Sequence, residues 1–263
     1  MNKTASPFFR HMEDALIVEF SKKADRRFRE LHGAGKAQPY LIGSALCGQD
    51  KALADYLLAA GGRFALIEFK ANAEQLKTEG VKPQRVRLLD ACIADSARLS
   101  RSRAIHHAAW GESAQLDLPG LGAQTQQELV LAPYADRVGM ALGLAIPKPR
   151  TVRWSDDAFI ERWLENTIAG ANIERFKRYL MELYELVGTD GAAGLADFQG
   201  LITVYVPARE KRAQFQTITF NSFAHLLALT IHYTPQRSPE PAREQAVPAV
   251  ERAPARGRKG PQR

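Results

Sequence analysis

The sequence predicts a mixed α/β fold, because helical and strand patterns alternate along the chain. Near the N-terminus, apolar residues recur at steps of three or four, which predicts a long amphipathic helix that ends near Gly33 and Gly35. Two apolar stretches follow, YLIGSALC and DYLLAAGGRFALIEFKA, and together they predict three strands. The apolar face of the helix consists of Phe9, Met12, Leu16, Phe20, Ala24, Phe28 and Leu31.

Another helix and another strand are predicted to complete the first half of the chain. A helical pattern covers about residues 85–109, with Val86, Leu89 and Ile93 on its inward face. ELVLAPY, at residues 128–134, has the composition of a strand. The predicted order is therefore helix, three strands, helix and strand.

The second half is predicted to be a smaller α+β region. We expect a linker at 146–150, two helices at about 156–169 and 173–187, and a hairpin formed by LITVYVPA and FQTITF. The predicted domains are a core over 1–150, an accessory region over 151–234 and a tail over 235–263. The tail is rich in Pro, Ala, Arg and Glu and has no aromatic residue, so we expect it to be disordered.

Charge and composition limit the partners of the chain. The formal net charge is +7, and the last 29 residues, with seven Lys or Arg and three Glu, account for four of these charges. The rest of the chain is therefore only weakly basic, which permits a polyanionic partner without requiring one. No apolar run reaches the roughly 18 residues of a membrane span, so no membrane partner is expected.

The N-terminus and the cysteines predict a cytoplasmic protein. MNKTASPFFRHMEDA lacks the apolar segment of a signal peptide. Cys47 and Cys92 do not have the spacing of metal ligands, and a reducing compartment is the simplest explanation for them.

Two charged residues interrupt the apolar run RFALIEFKA, which spans residues 63–71. Six of these nine residues are Ala, Leu, Ile or Phe, the composition of a strand that is buried on both faces. Glu68 and Lys70 stand within it, and a buried charge costs several kcal/mol unless a partner or a cation meets it. Either the two side chains neutralise each other, or something binds beside them.

A glycine turn is predicted to bring a second carboxylate to Glu68. Gly61-Gly62 suits the two-residue loop of a hairpin, because glycine tolerates a positive φ. With that loop, Asp55 lies directly opposite Glu68, where Cβ atoms are about 4.5–5.5 Å apart and like charges repel. Lys70 lies on the same face of the hairpin. The other face carries Ala65, Ile67, Phe69 and Ala71 and is predicted to pack inward.

Two carboxylates at this separation suit a divalent cation with oxygen ligands. Mg²⁺ is the first candidate, and Mn²⁺ is the alternative. Lys70 is in place to hold or activate a water molecule and to stabilise developing charge. These are the requirements for hydrolysing a phosphodiester. The competing hypothesis is a structural salt bridge that joins Glu68 or Asp55 to Lys70 or Arg63.

The first helix carries further acidic candidates. Successive steps of 100° put Glu13 in the middle of the apolar face and Glu19 at its edge. A carboxylate centred on a face that packs against the core needs an explanation.

Asp55, followed after twelve residues by Glu68-Phe69-Lys70, resembles the motif of the PD-(D/E)XK nuclease superfamily, the restriction-endonuclease and Holliday-junction-resolvase type. The resemblance covers about residues 10–135 and implies a restriction-endonuclease-like core of helix, three strands, helix and strand. It implies that Asp55, Glu68 and the Phe69 carbonyl ligate metal and that Lys70 is the catalytic lysine. Many members add a glutamate from the first helix, for which Glu13 is the first choice and Glu19 the second. Asp55 follows alanine instead of the proline that names the motif.

The resemblance implies a metal-dependent nuclease that acts on nucleic acid, with DNA favoured over RNA. Arginines on the predicted second helix would contact phosphates beside the cleavage site, although an ordinary solvated helix face explains them too. Residues 151–234 would recognise the shape of the substrate or form a homodimer. The alternative is an inactive nuclease-like protein that binds nucleic acid or serves as a scaffold. The arginines are Arg85, Arg98, Arg101 and Arg103.

Overall fold

The structure, a computed structural model, describes residues 7–32, 40–46, 54–60, 62–165, 169–206 and 214–233. In these residues, eight strands form one mixed sheet, and apolar clusters lie on both of its faces. The mixed α/β class predicted from the sequence is therefore confirmed. No helix within the described ranges is long and apolar enough to span a membrane.

Helices and strands are interspersed along the chain. The helices are α1 (Pro7–His32), a 3₁₀ helix (Ala73–Val81), α2 (Pro83–Ala94), α3 (Ser96–Ile105), α4 (Tyr134–Ala141), α5 (Asp156–Leu164), α6 (Ile173–Leu186), α7 (Gly191–Ala196) and α8 (Phe223–Tyr233). The strands are β1 (Tyr40–Ala45), β2 (Tyr56–Ala60), β3 (Arg63–Lys70), β4 (His106–Leu118), β5 (Gly122–Pro133), β6 (Trp154–Ser155), β7 (Gly200–Val206) and β8 (Gln214–Phe220).

The sheet has the strand order β6-β5-β4-β3-β2-β1-β7-β8. Strands β1, β2 and β3 are antiparallel neighbours, and β4 lies parallel to β3 after the helices α2 and α3. A parallel neighbour needs a crossover connection, which these two helices provide. The ends of β2 and β3 therefore lie in the middle of the sheet and not at its edge.

Helix α1 packs on the sheet through the predicted apolar face. Leu16, Phe20, Ala24 and Phe28 are all buried, as the spacing of three and four residues predicts. The Phe20 ring meets the Phe69 ring edge to face, with 5.7 Å between the centroids. This contact fixes α1 over the end of β3, where the candidate site lies.

The predicted helix over residues 85–109 is wrong in two respects. The segment forms two helices, because the side chain of Asp95 accepts hydrogen bonds from the backbone N–H groups of Ala97 and Arg98, at 2.8 and 3.2 Å, and so caps α3. Residues 106–109 belong to β4, which is buried there on both faces of the sheet. The strand that pairs with β3 is therefore β4, whereas the predicted strand at 128–134 falls largely within β5.

The accessory half of the chain extends the same sheet. Helices α5 and α6 and the hairpin β7–β8 form close to the predicted positions. Strand β7 pairs with β1, and β6 pairs with β5, so residues 151–233 add strands at both ends of the sheet. The predicted tail and the helix end at Gly33 and Gly35 lie outside the described residues, as do Gly61 and Cys47.

Candidate functional site

The β2–β3 hairpin brings Asp55 to Glu68. Tyr56 pairs with Ile67 and Ala60 with Arg63, which is the predicted register. One step beyond, Asp55 stands immediately before β2, and its Oδ2 accepts a hydrogen bond of 2.6 Å from the backbone N–H of Phe69. Burial, together with the negative charge of Glu68, raises the pKa of Asp55 to about 7. A nearby cation would therefore stabilise the ionised form of Asp55, which burial and Glu68 disfavour.

Glu68 is fully buried and is surrounded by cations. Its Oε1 lies 2.7 Å from Lys70 Nζ and 3.0 Å from Lys82 Nζ, and its Oε2 lies 2.9 Å from Arg85 Nη2. Burial alone would raise the pKa of Glu68, but these three positive charges hold that pKa well below its usual range. These cations therefore hold Glu68 in its ionised form.

Lys70 is a buried ammonium at the end of β3. Besides Glu68, its Nζ contacts the Phe69 carbonyl at 2.8 Å and Glu79 at 3.2 Å. Burial favours the neutral amine, yet Glu68 and Glu79 raise the pKa of Lys70 above its usual value. Lys70 is therefore already protonated in this state, so it donates hydrogen bonds and does not accept a further proton.

The competing salt bridge is present in part. Glu68 and Lys70 do pair, as that hypothesis requires. Arg63 is not part of the cluster, because its guanidinium donates to the backbone carbonyls of Ala169 and Gly170. The bridge is also larger than predicted, since Lys82, Arg85 and a second carboxylate belong to it.

That second carboxylate, Glu79, was missed from the sequence. It lies near the end of the 3₁₀ helix, fully buried, and its Oε1 is 2.8 Å from Lys82 Nζ while its Oε2 is 3.3 Å from Arg85 Nε. The hydroxyl of Tyr134, at the start of α4, donates to Glu79 Oε2 at 2.8 Å. The only local signal was the spacing of three residues between Glu79 and Lys82.

Glu68 and Glu79 together share the same three cations, and we call these five side chains the ion cluster. The remaining members are Lys70, Lys82 and Arg85, so the cluster carries a formal charge of +1. Lys82 is the most accessible member, with 33% of its side chain exposed. Such a network is stable only while each charge keeps its partners.

Removal of the Tyr134 hydroxyl tests how much its hydrogen bond to Glu79 contributes to the stability of the protein. Tyr134→Phe should lower the free energy of unfolding by about 1.5–3 kcal/mol, because a hydrogen bond to a buried carboxylate is lost. Urea unfolding measures the change. Tyr179→Phe is the matched control: its buried hydroxyl bonds to Ser102 and His106, so a smaller loss of about 0.5–1.5 kcal/mol is expected. An equal loss in the two variants would contradict the prediction.

The first helix places one of its two candidate glutamates at the site. Glu13 Oε1 accepts a hydrogen bond of 3.2 Å from the backbone N–H of Ala71, directly after β3. Burial raises the pKa of Glu13, and the nearby charge of Lys70 opposes that change. Glu19, the second choice, is exposed and pairs with Lys22 at 3.0 Å, so it is not at the site.

The residues fit a divalent cation in their chemistry, but they do not form a complete cage. Within the described part of the chain, no three His, Cys, Asp or Glu side chains form a group that could hold a metal ion. Asp55, Glu68 and Glu13 therefore do not meet as the expected ligand set. Mg²⁺ usually keeps several waters and binds through one or two carboxylates. Asp55 and Glu68, with the Phe69 carbonyl, supply oxygen donors of this kind.

The four arginines expected to contact phosphate are engaged within the protein. Arg85 is almost fully buried against Glu68, so that part of the prediction is wrong. Arg101 forms a pair of hydrogen bonds with Glu182, at 2.5 and 3.1 Å, and Arg98 lies 3.7 Å from the same carboxylate. Arg103 binds Asp136 at 2.7 Å. Ion pairs within the fold therefore account for all four arginines.

Comparison of the chain with protein-family models, curated proteins and solved structures found no match. An inference about function therefore rests on the topology of the sheet and on the geometry around Asp55, Glu68 and Lys70.

Proposed function

We propose that the chain is a Mg²⁺-dependent nuclease of the PD-(D/E)XK type that hydrolyses phosphodiester bonds, most readily in DNA. The observation that carries the proposal is the end of the β2–β3 hairpin, where Asp55 reaches the backbone of Phe69 beside Glu68 and Lys70. The topology supports it as well: α1 precedes three antiparallel strands, and the helices α2 and α3 lead to β4, parallel to β3.

The side chains have roles that follow from their charges. Hydrolysis adds a water oxygen to phosphorus and breaks one phosphorus–oxygen ester bond, so negative charge builds up on the phosphate oxygens and the leaving oxygen. Lys70, as an ammonium, would donate a hydrogen bond to that charge. Asp55, Glu68 and the Phe69 carbonyl would hold the cation. When bound, Mg²⁺ would polarise the phosphate and lower the pKa of the attacking water.

The raised pKa of Asp55 supports this assignment. The ion pairs at this end of the hairpin go to Glu68 and Glu79, which leaves Asp55 half-buried beside a like charge. A divalent cation would stabilise its ionised form. Because a proton competes with the cation for Asp55, metal affinity should fall as the pH drops below about 7.

A second candidate function is an inactive nuclease-like protein that binds nucleic acid. The ion cluster favours it, because Lys70, Lys82 and Arg85 already neutralise Glu68 without a metal. For catalysis, Glu68 would have to exchange one of these contacts for the cation. Lys82, the most exposed of the three, is the contact most easily released.

A nicking assay on supercoiled plasmid separates the two functions. The wild type should nick DNA with Mg²⁺ and lose this activity in EDTA. Lys70→Met, which keeps the aliphatic stem, should reduce the rate by about 10²–10³, the range for loss of one donor to developing charge. Lys22→Met, on the exposed side of α1, is the control and should leave the rate unchanged.

The proposal would be overturned if folded wild-type protein cleaved neither DNA nor RNA with Mg²⁺ or Mn²⁺. Binding of DNA without cleavage would support the inactive alternative. A Lys70→Met rate equal to that of the wild type would remove Lys70 from the chemistry.

A further inference from the structure

A second group of cations lies next to Lys70 on the same face of the sheet. Lys70 in β3 pairs with Trp110 in β4, and paired residues point to the same side of a sheet. Two arginines stand over the Trp110 ring: the guanidinium carbon of Arg137 is 4.9 Å from the ring centroid, and that of Arg153 is 5.6 Å away. These distances are within the range of cation–π contacts. We call these three residues the arginine–tryptophan group.

Helix α4 ties this group to the ion cluster. Tyr134 and Arg137 are three residues apart, so they lie on one face of the helix. Tyr134 donates to Glu79 in the ion cluster, while Arg137 covers Trp110. Helix α4 therefore both completes the ion cluster and holds the Arg137 guanidinium over Trp110, whereas Arg153 reaches the same ring from the residue before β6.

Both arginines contact the Trp110 ring, and Arg153 also pairs with a carboxylate. Trp110 is fully buried, and its Nε1 donates a hydrogen bond of 2.8 Å to Glu112. Glu112 also pairs with Arg153, whose side chain is 44% exposed. Arg137 is half-buried, and its Nε has no hydrogen-bond partner in the described part of the chain. A guanidinium stacked on an indole keeps its planar fork in one orientation at a low entropic cost.

This arrangement suits phosphate. A fixed guanidinium fork binds two phosphate oxygens at once, and the ion pair of Glu112 with Arg153 leaves the Arg137 guanidinium for such a contact. The ion cluster adds a formal charge of +1 on the same side. A polyanion whose reacting phosphate lies at Lys70 would therefore place a neighbouring phosphate near Trp110.

We infer that Arg137 and Arg153, oriented by Trp110, bind the nucleic-acid backbone next to the phosphate that is cleaved. This inference rests on the proposed function. The arginines of α2 and α3 that were expected to contact phosphate pair with carboxylates instead. Arg137 and Arg153 belong to neither helix.

Binding measurements on the full chain test the inference apart from catalysis. Fluorescence anisotropy with a labelled DNA duplex, in Ca²⁺ or EDTA, measures Kd over a range of salt concentrations. Arg137→Gln and Arg153→Gln should each raise Kd about tenfold and reduce the slope of log K against log salt by about 1, as expected when one phosphate contact is lost. Arg26→Gln is the matched control, because Arg26 is exposed on α1 away from Trp110.

The salt slope distinguishes a phosphate contact from a structural role. A variant that merely loosened Trp110 would lower the melting temperature without changing that slope. Arg137→Lys keeps the charge, so it should retain the slope while it loses part of the affinity. If the wild type binds or nicks DNA and both Gln variants behave like Arg26→Gln, the inference is wrong and the proposed function stands. If the wild type neither binds nor cleaves nucleic acid, both fail.

Discussion

Glu68→Gln is expected to lower the free energy of unfolding by about 3–5 kcal/mol, the cost of removing one partner from a buried ion pair. Glu68 is the carboxylate closest to Lys70 and Arg85, both of which are almost fully buried. In the variant, Glu79 alone would balance three cations. Urea unfolding at neutral pH measures the loss, and a change below about 1 kcal/mol would show that the ion cluster does not stabilise the fold.

The matched control for this variant is Glu79→Gln. Glu79 is equally buried and contacts the same three cations, so its loss should destabilise the protein by a similar amount. This variant keeps both candidate metal-binding carboxylates, Asp55 and Glu68. Ca²⁺ should therefore still raise the melting temperature of Glu79→Gln but not that of Glu68→Gln. Equal responses to Ca²⁺ would exclude Glu68 as a ligand.

Asp55→Asn is expected to abolish Mg²⁺-dependent nicking while it stabilises the metal-free protein by about 2–4 kcal/mol at pH 8. The pKa of Asp55 is raised from 3.8 to about 7 in the folded state. At a pH between these two values, the folded protein therefore keeps a proton on Asp55 that the unfolded chain has released. Stability of the wild type should fall as the pH rises from about 4 to 7, and the asparagine variant should lack this slope.

Unfolding in EDTA at several pH values measures this effect, and Ca²⁺ titration at pH 8 measures the loss of metal binding. The asparagine carbonyl can still accept the hydrogen bond from Phe69, so the backbone contact is kept. Asp157→Asn, an exposed change on α5, serves as the control. A wild-type response to Ca²⁺ in Asp55→Asn would remove Asp55 from the metal site.

The features of the fold that were predicted correctly depend on local patterns. The buried face of α1 follows from a spacing of three and four residues, as shown by Leu16 and Phe20. The register of β2 and β3 follows from one short turn, because a two-residue loop leaves a single pairing of the flanking residues. In both cases the interacting residues are close in sequence, so little else can alter the outcome.

The features that were missed depend on contacts between distant segments. Tyr134 and Glu79 are 55 residues apart, and no local pattern joins them. The break at Asp95 was hidden because the apolar spacing continues through a capping residue into a strand that is buried on both faces. Strand β4 carries apolar residues in succession, which periodicity alone does not separate from a buried helix.

The amino-acid sequence by itself predicted that Asp55, Glu68 and Lys70 lie at one end of the β2–β3 hairpin, because a short turn sets the register and alternating side chains set the face. Only the tertiary structure decided what surrounds them. An arginine such as Arg85 becomes a buried partner of Glu68 instead of a surface contact for phosphate when a neighbouring helix covers it. The cost of burying a charge depends on groups contributed by the whole fold, and local spacing carries no information about those groups.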